Sequence, residues 1–474
     1  MSEAQLLPQL FGEAADRAPR SPAVTVGGTT YDYASLAGAV ATRAADLGSS
    51  SVRTVELDEG FASVVDLLAA LTTAYVVAVC GHDDARRMRS VTECLAPEIG
   101  TEPSVVFPTS GSSGEPKLVC HSHRTLSAAL DNTLELRREQ IGDEATLALT
   151  VIPGMPLWSI SGFNVLELTL FTGGHLVMSG TAAADVLDAI ERYGVTNIGV
   201  PPIMLRALVR EQRRRPRTLE SLLLIGIGAG PVDPALAREV ENAFGCNVAT
   251  AYGSTEIGGA ALMPRYVDPL DVRTGSVGRA LPGIETAVDG RGELRVRSNS
   301  MMRGYITAQG ALTPHPRGSW YSTGDLANVD DAGNWHVIGR LDDQILRGGR
   351  LIDPRPIEAT LARDPTVDSA AVVGIASRVP GEQDVWAAYT DAIGAEQDDG
   401  DTRSRLRKLC HDALPPHNRP RRIVRVDEIP LRRDGSPHRP AVRELLLGRG
   451  EEVAAGGVVE PVRDIGGQQT EVLD

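Results

Sequence analysis

Between residues 145 and 265, short apolar runs alternate with longer amphipathic ones. No other feature of the 474-residue chain constrains its fold as strongly. The strand candidates are 147–153, 174–179, 197–200, 221–227 and 248–252, and the helix candidates between them are 182–193, 203–214 and 234–244. Strands separated by helices pair in parallel through crossover connections. The expected class is therefore α/β, with a large N-terminal domain of mixed and parallel sheets flanked by helices.

The segments around this block read differently. Runs 23–26 and 30–33 flank Gly27-Gly28 and suggest a hairpin. Residues 66–78 are apolar with helical character, and 104–108 form a short apolar strand candidate. From 270 to 340 the pieces are short and glycine-punctuated (283–288, 292–297, 320–322, 335–338), as in a small β-barrel or a meander. Residues 344–447 form a further α+β unit, with helices at 356–363 and 402–414 and strands at 367–374 and 385–390. The tail 448–474 is glycine-rich, acidic and aperiodic, and is expected to be disordered.

Composition narrows the function. A net charge of -15 and 4% aromatic residues argue against a nucleic acid partner or an anionic membrane surface. No apolar run reaches the ~20 residues of a membrane span, and the first residues lack signal-peptide architecture. The five cysteines are scattered and odd in number, as in a cytoplasmic protein with reduced thiols.

The segment Thr109-Ser110-Gly111-Ser112-Ser113-Gly114-Glu115-Pro116-Lys117 carries the most chemistry. Small residues let a backbone turn its N–H groups toward phosphate oxygens, hydroxyls add donors, and lysine adds a mobile cation. The bland alternative is a flexible linker. Against it, a strand runs straight in. Lys117 is also one of only two lysines among 47 basic residues. A lysine is a point charge that can follow a moving phosphate, which the rigid fork of arginine does less well.

Three later segments extend the pattern. Tyr252-Gly253-Ser254-Thr255-Glu256 joins an aromatic face, hydroxyls and a carboxylate, the groups that stack a base and hold a hard cation. Asp325, in Ser322-Thr323-Gly324-Asp325, could accept from two ribose hydroxyls. Arg340 and Asp342 add a cation and an acid at a composition break. Each has a plain alternative: Tyr252 as core, Asp325 as a turn residue, Arg340 and Asp342 as a surface ion pair.

Taken together these segments resemble the AMP-forming acyl-CoA synthetase superfamily, which includes luciferases and nonribosomal adenylation domains. TSGSSGEPK is similar to its phosphate loop, and Gly228-Ala229-Gly230 to its adenine-side segment. AYGSTE, GELRVRSNSMMRGY, STGD and GRLDDQILRGGRLIDPRPIE follow in the family's order over residues 10–440. The resemblance implies ATP-dependent activation of a small carboxylic acid as acyl-AMP, then transfer to a pantetheine thiol of coenzyme A or of a carrier protein. It implies that residues 109–114 and Lys117 hold the β/γ-phosphates, and that Gly228, Ala229 and Gly230 line the base. Tyr252, with Gly253 and Ser254 beside it, would stack on adenine. Thr255 would touch the α-phosphate and Glu256 would bind Mg²⁺. Asp325 and Arg340 would hold the ribose. Residues 1–340 would be the nucleotide- and acyl-binding domain, 341–343 a hinge centred on Asp342, and 344–447 a mobile domain. Gly348-Gly349 would line the pantetheine tunnel.

Three departures qualify this. The family's final motif has a lysine that bridges carboxylate and α-phosphate, and its position here is Ser436. His438, Arg432 or Arg433 could supply the charge, adenylation could be slow, or the chain could be a degenerate nucleotide-binding homologue. An amide- or ester-forming ligase is the other enzymatic alternative. The segment around 50–80 is shorter than in relatives. In Pro153–Gly162, Ser159 stands near the acyl-pocket register beside Trp158, for which core packing is favoured over a place in the pocket. No Asp lies between Pro153 and Gly180, only Asn164, which disfavours a free α-amino acid as substrate.

Overall fold

The computed structural model describes residues 6–95, 99, 102–109, 117–142, 149–228, 232, 234–392, 399–431 and 436–456. The chain divides into two compact units, one ending at Leu341 and the other starting at Asp342.

The alternating block forms most of a seven-stranded sheet. Its order is Asn247–Thr250, Leu224–Ile227, Asn197–Val200, Thr150–Ile152, His175–Met178, Pro22–Val26 and Thr29–Asp32. All neighbours are parallel except the final pair. That pair turns at Gly27 and Gly28, with φ of 56° and 83°, the left-handed values a two-residue hairpin loop demands. Helices Ala183–Tyr193, Pro202–Arg214 and Pro234–Phe244 cover the sheet through Leu187, Ile190, Leu205, Leu208 and Val240, all buried.

A six-stranded sheet follows the order Leu312–Pro314, Gly304–Ile306, Lys117–Ser122, Ser104–Thr109, Ala74–Cys80 and Ser50–Glu56. It corrects one expectation. The helix Phe61–Thr73 ends before the apolar run 66–78 does, and Ala74–Cys80 is a central strand. Val76 to Cys80 are all buried. A strand covered on both faces loses its alternation, so periodicity alone does not distinguish it from a buried helix.

The expected strand 248–252 also breaks. It stops at Thr250, whose hydroxyl caps the Arg273 and Ser276 carbonyls at 3.0 and 2.6 Å, and Tyr252 opens a strand in another sheet. The small β-barrel region is built as two antiparallel sheets, not one continuous ladder. One contains Tyr252–Ser254, Gly259–Met263 and Arg279–Ala280. The other contains Ile284–Val288, Glu293–Ser298, Tyr321–Val329 and Trp335–Arg340. Both pack on Leu262, Leu281, Leu294, Val296 and Trp335. The hairpin 304–314 leaves this region and pairs with Lys117–Ser122.

In the second unit, Val367–Ala376 runs antiparallel to Gln383–Asp391, which is parallel to Arg422–Arg425. Helices Arg355–Leu361, Asp399–Ala413 and Arg439–Gly456 accompany them. The last helix runs into the segment expected to be disordered. It continues through Glu451, Glu452, Ala454 and Ala455, good helix formers with no proline among them. Residues 457–474 lie outside the described residues. Arg439 is buried. Its Nε lies 3.0 Å from Asp343 Oδ2, and its Nη1 lies 2.5 Å from Glu358 Oε1 and 2.7 Å from the Val372 carbonyl. Among the described residues every apolar cluster lies wholly within one unit, and no helix is long and apolar enough to cross a membrane.

Candidate active site

Thr109 and Lys117 face each other at the open end of an antiparallel pair, and the Thr109 hydroxyl reaches the Lys117 carbonyl at 3.3 Å. The segment between them, with Ser110, Gly111, Ser112, Ser113 and Gly114, lies outside the described residues. The Lys117 side chain is exposed, and its Nζ lies 5.3 Å from the centre of the Tyr305 ring.

Tyr305 leads to the next group. Its hydroxyl donates to Glu256 Oε1 at 2.9 Å, and the Tyr321 hydroxyl lies 3.3 Å from it. Glu256 sits in a tight turn, Thr255–Ile257. That turn is pinned from below: His121 Nε2 donates to the Thr255 carbonyl at 2.6 Å, and Met302 N donates to the Glu256 carbonyl at 2.9 Å. Burial lowers His121 to about 4, so its ring is neutral. The turn ends in Gly258 and Gly259, with φ of 89° and 120°. A Cβ on Gly259 would come 1.8 Å from Asn164 Nδ2, which itself donates to the Gly258 carbonyl at 2.8 Å.

A second group forms at Tyr252, which opens the strand Tyr252–Ser254 just before that turn. The Tyr252 hydroxyl donates to Asp325 Oδ2 at 2.6 Å, and Arg340 Nη1 lies 3.0 Å from Asp325 Oδ1. The Asp325 backbone is held by the Thr323 hydroxyl at 3.0 Å, and Gly324 N by buried Glu293 at 2.9 Å. Burial, reinforced by Asp325, raises the Tyr252 phenol. Burial, reinforced by Glu256, raises Tyr305 and Tyr321. All three phenols therefore stay protonated as donors. Ser254 Oγ is buried with no partner among the described residues, an unmet polar group of the kind a bound ligand satisfies.

The donor set fits Mg²⁺. Glu256 Oε2 has no hydrogen bond among the described residues, and they contain no group of three or more His, Cys, Asp or Glu that could hold a metal by itself. Mg²⁺ is typically held by one or two carboxylates together with substrate phosphates and water.

Other expected residues are scattered. Gly228 is exposed just after Leu224–Ile227, while Ala229 and Gly230 lie outside the described residues. Asp342 sits in the turn Leu341–Asp343, between Arg340, bound to Asp325, and Asp343, bound to Arg439. Gly348 and Gly349 turn a hairpin, and both N–H groups donate to the Glu382 carboxylate. The His438 ring makes no hydrogen bond among the described residues, and its backbone N donates to the Pro430 carbonyl at 2.8 Å. Arg432 and Arg433 lie outside the described residues. Trp158 packs against the core, close over Gly81, and Ser159 caps the helix Ile160–Leu170 through Gly162 N at 3.1 Å.

Sequence reasoning passed over Tyr305, Tyr321, His121 and Thr323. A signal existed. The chain has only nine tyrosines, and three of them, at 252, 305 and 321, fall inside or beside the recognised motifs. Strand pairing, invisible in the sequence, makes their positions converge.

The AMP-binding enzyme model matches residues 83–306, and the AMP-binding enzyme C-terminal domain model matches 356–436, together more than half of the chain. The chain belongs to the AMP-binding enzyme family. Its relatives in this adenylate-forming family include an indoleacetate–CoA ligase of Aromatoleum aromaticum. That protein is 29% identical over 365 residues, covering 74% of this chain and 69% of the relative. A 2-hydroxy-7-methoxy-5-methyl-1-naphthoate–CoA ligase of Streptomyces carzinostaticus is 30% identical over 381 residues, covering 76% and 65%. The chain thus spans about two thirds of the length of these relatives. The family fold is seen in the o-succinylbenzoate–CoA synthetase of Bacillus subtilis, solved with ATP and a magnesium ion. Its TM-score is 0.76 at 20% identity, covering 91% of this chain and 98% of that one.

Within this AMP-binding enzyme, Asp325 is the group whose loss should be most legible. We expect the wild type to prefer ATP over 2′,3′-dideoxy-ATP by about 10–100-fold, the worth of hydrogen bonds to a charged group. Asp325→Ala should bring that ratio close to one. A mutant that still discriminates as the wild type does would show that another residue accepts from the ribose.

Proposed function

We propose that this chain activates a carboxylic acid with ATP, forming acyl-AMP and pyrophosphate, and then passes the acyl group to a pantetheine thiol. One carboxylate oxygen attacks the α-phosphorus and the bond to the β-phosphate oxygen breaks. Pyrophosphate leaves with the charge. In the second step the thiolate attacks the acyl carbon, AMP departs and a thioester remains.

The observation that carries this reading is the pair of linked clusters in one unit: Lys117, Tyr305 and Glu256, and Tyr252, Asp325 and Arg340. Catalysis of such a transfer is mostly positioning and charge neutralisation. Lys117, with the hydroxyls and N–H groups of residues 109–114, would hold the β/γ-phosphates. Tyr252 would offer its ring to adenine beside Gly228, Ala229 and Gly230. Asp325 and Arg340 would hold the ribose, and Thr255 would donate to the α-phosphate. Glu256 would hold Mg²⁺, which offsets charge on the phosphate oxygens.

Residues 1–340 would act as the nucleotide- and acyl-binding domain and 344–447 as the moving one. Asp342 would be the pivot, since Arg340, two residues before it, is tied within the first unit and Asp343, just after it, within the second. Coenzyme A is the acceptor named for the relatives, and a carrier-protein arm is the other thiol source. All five cysteines are free, which suits a reducing cytoplasm.

The test is ATP–pyrophosphate exchange across a carboxylate panel weighted to aryl and arylalkyl acids. Exchange with at least one acid, followed by thioester formation on adding coenzyme A or a loaded carrier, is the expected result. No exchange with any acid, despite measurable ATP binding, would sink the enzymatic reading.

A further inference from the structure

We propose that Tyr305 is a positioning residue that couples the phosphate-binding lysine to the metal-binding carboxylate. The inference rests on the roles given above to Lys117 and Glu256. It gives a role to Tyr305, which closes the motif GELRVRSNSMMRGY but received none from it.

The coupling follows from strand register. Gly304–Ile306 lies antiparallel to Lys117–Ser122, with Tyr305 opposite Val119. Lys117 is two residues from Val119 and so stands on the same face, a diagonal neighbour within reach of an aromatic ring. The ring accordingly sits 5.3 Å from Lys117 Nζ, a distance at which its face attracts a cation. From the far end of the same ring, the hydroxyl reaches Glu256 Oε1 at 2.9 Å. The Tyr321 hydroxyl, 3.3 Å away, donates to the phenol oxygen and completes the chain.

The backbone beneath is fixed. Gly304 has φ of 154°, and a Cβ there would lie 2.1 Å from the Thr313 carbonyl oxygen. The preceding Arg303 is anchored to Ser104 Oγ at 2.7 Å and to Glu102 at 3.1 Å. Tyr305 therefore has little freedom to follow Glu256 if that carboxylate turns. It holds Oε1 and leaves Oε2 as the oxygen facing a metal. Outer-shell donors to a ligating carboxylate typically matter 10–100-fold for metal affinity.

The experiment separates ring from hydroxyl. Mn²⁺ affinity is measured by electron paramagnetic resonance in the presence of ATP and without any carboxylic acid. ATP affinity without metal is measured by calorimetry. Tyr305→Phe keeps the ring under Lys117 and removes the donor to Glu256. It should weaken Mn²⁺ binding about 10–100-fold and leave metal-free ATP affinity unchanged. Tyr305→Leu removes both, and should also weaken metal-free ATP binding about two- to fivefold. Near-ultraviolet circular dichroism checks that both variants are folded. Mn²⁺ affinity equal to wild type in Tyr305→Phe overturns the proposal, as does equal loss of metal-free ATP affinity in both variants. Glu256→Gln is the control for the underlying assignment. If it binds Mn²⁺–ATP as tightly as wild type, the metal role of Glu256 falls and this coupling falls with it.

Discussion

Lys117→Ala is expected to slow pyrophosphate release about 10²–10³-fold while leaving the fold intact, the usual loss when one pre-organised charge-stabilising donor is removed. The argument rests on how little else the side chain does. It is exposed, and among the described residues it makes no ion pair and has the face of Tyr305 as its only close partner. Removing it leaves no buried acid uncompensated, so stability should change by well under 1 kcal/mol, about as for other surface substitutions. Lys117→Arg should recover part of the rate, because charge is restored but mobility is not. Stopped-flow pyrophosphate release and thermal unfolding of the three proteins decide the matter. Unchanged turnover and ATP affinity in the alanine variant would remove this loop from the site.

Arg439→Ala should have the largest effect on stability, a loss of about 3–5 kcal/mol in the C-terminal unit. The guanidinium satisfies Asp343, Glu358 and the Val372 carbonyl at once and is itself buried. Deleting it strands two mostly buried acids, Asp343 and Glu358, with no other counter-charge among the described residues. Urea unfolding followed by Trp386 fluorescence, the indole of that unit, reports the change. The triple variant Arg439→Met, Asp343→Asn, Glu358→Gln should regain most of the loss, since the penalty comes from unpaired charge more than from missing attraction. A single variant within about 1 kcal/mol of wild type would show the triad to be energetically idle.

The sequence also points toward Arg439, but for another reason. It lies one residue after His438 in the stretch compared with the family's final motif, whereas the structure shows it turned inward to Asp343, Glu358 and the Val372 carbonyl. Other elements were legible to different degrees. The helices at 183–193, 202–214 and 234–244 are strongly amphipathic, with Leu187, Ile190, Leu205, Leu208 and Val240 spaced on their buried faces, so their existence was plain. The strand Ala74–Cys80 was hidden because burial on both faces erased its alternation. The strand Arg422–Arg425 was hidden because four of the six residues in the run 420–425 are arginine or proline, yet only Ile423 is fully buried. In the site, Lys117, Tyr252, Glu256, Asp325 and Arg340 could be named because a motif carries each of them. Tyr305 and Tyr321 lie in or beside motifs too, but they and His121 were given no role, because their roles depend on which strands become neighbours.

The confinement of apolar clusters to one side or the other of Leu341–Asp342 has a consequence for motion. Each block carries its own ballast: Leu262, Leu294 and Trp335 stay with the first, and Ile357, Val372, Tyr389 and Leu406 with the second. Were the proposed hinge to turn at that bond, both interiors would stay packed as they are, and the work of turning would contain no contribution from opening a core. Among the described residues each interior is complete without an apolar side chain from the other.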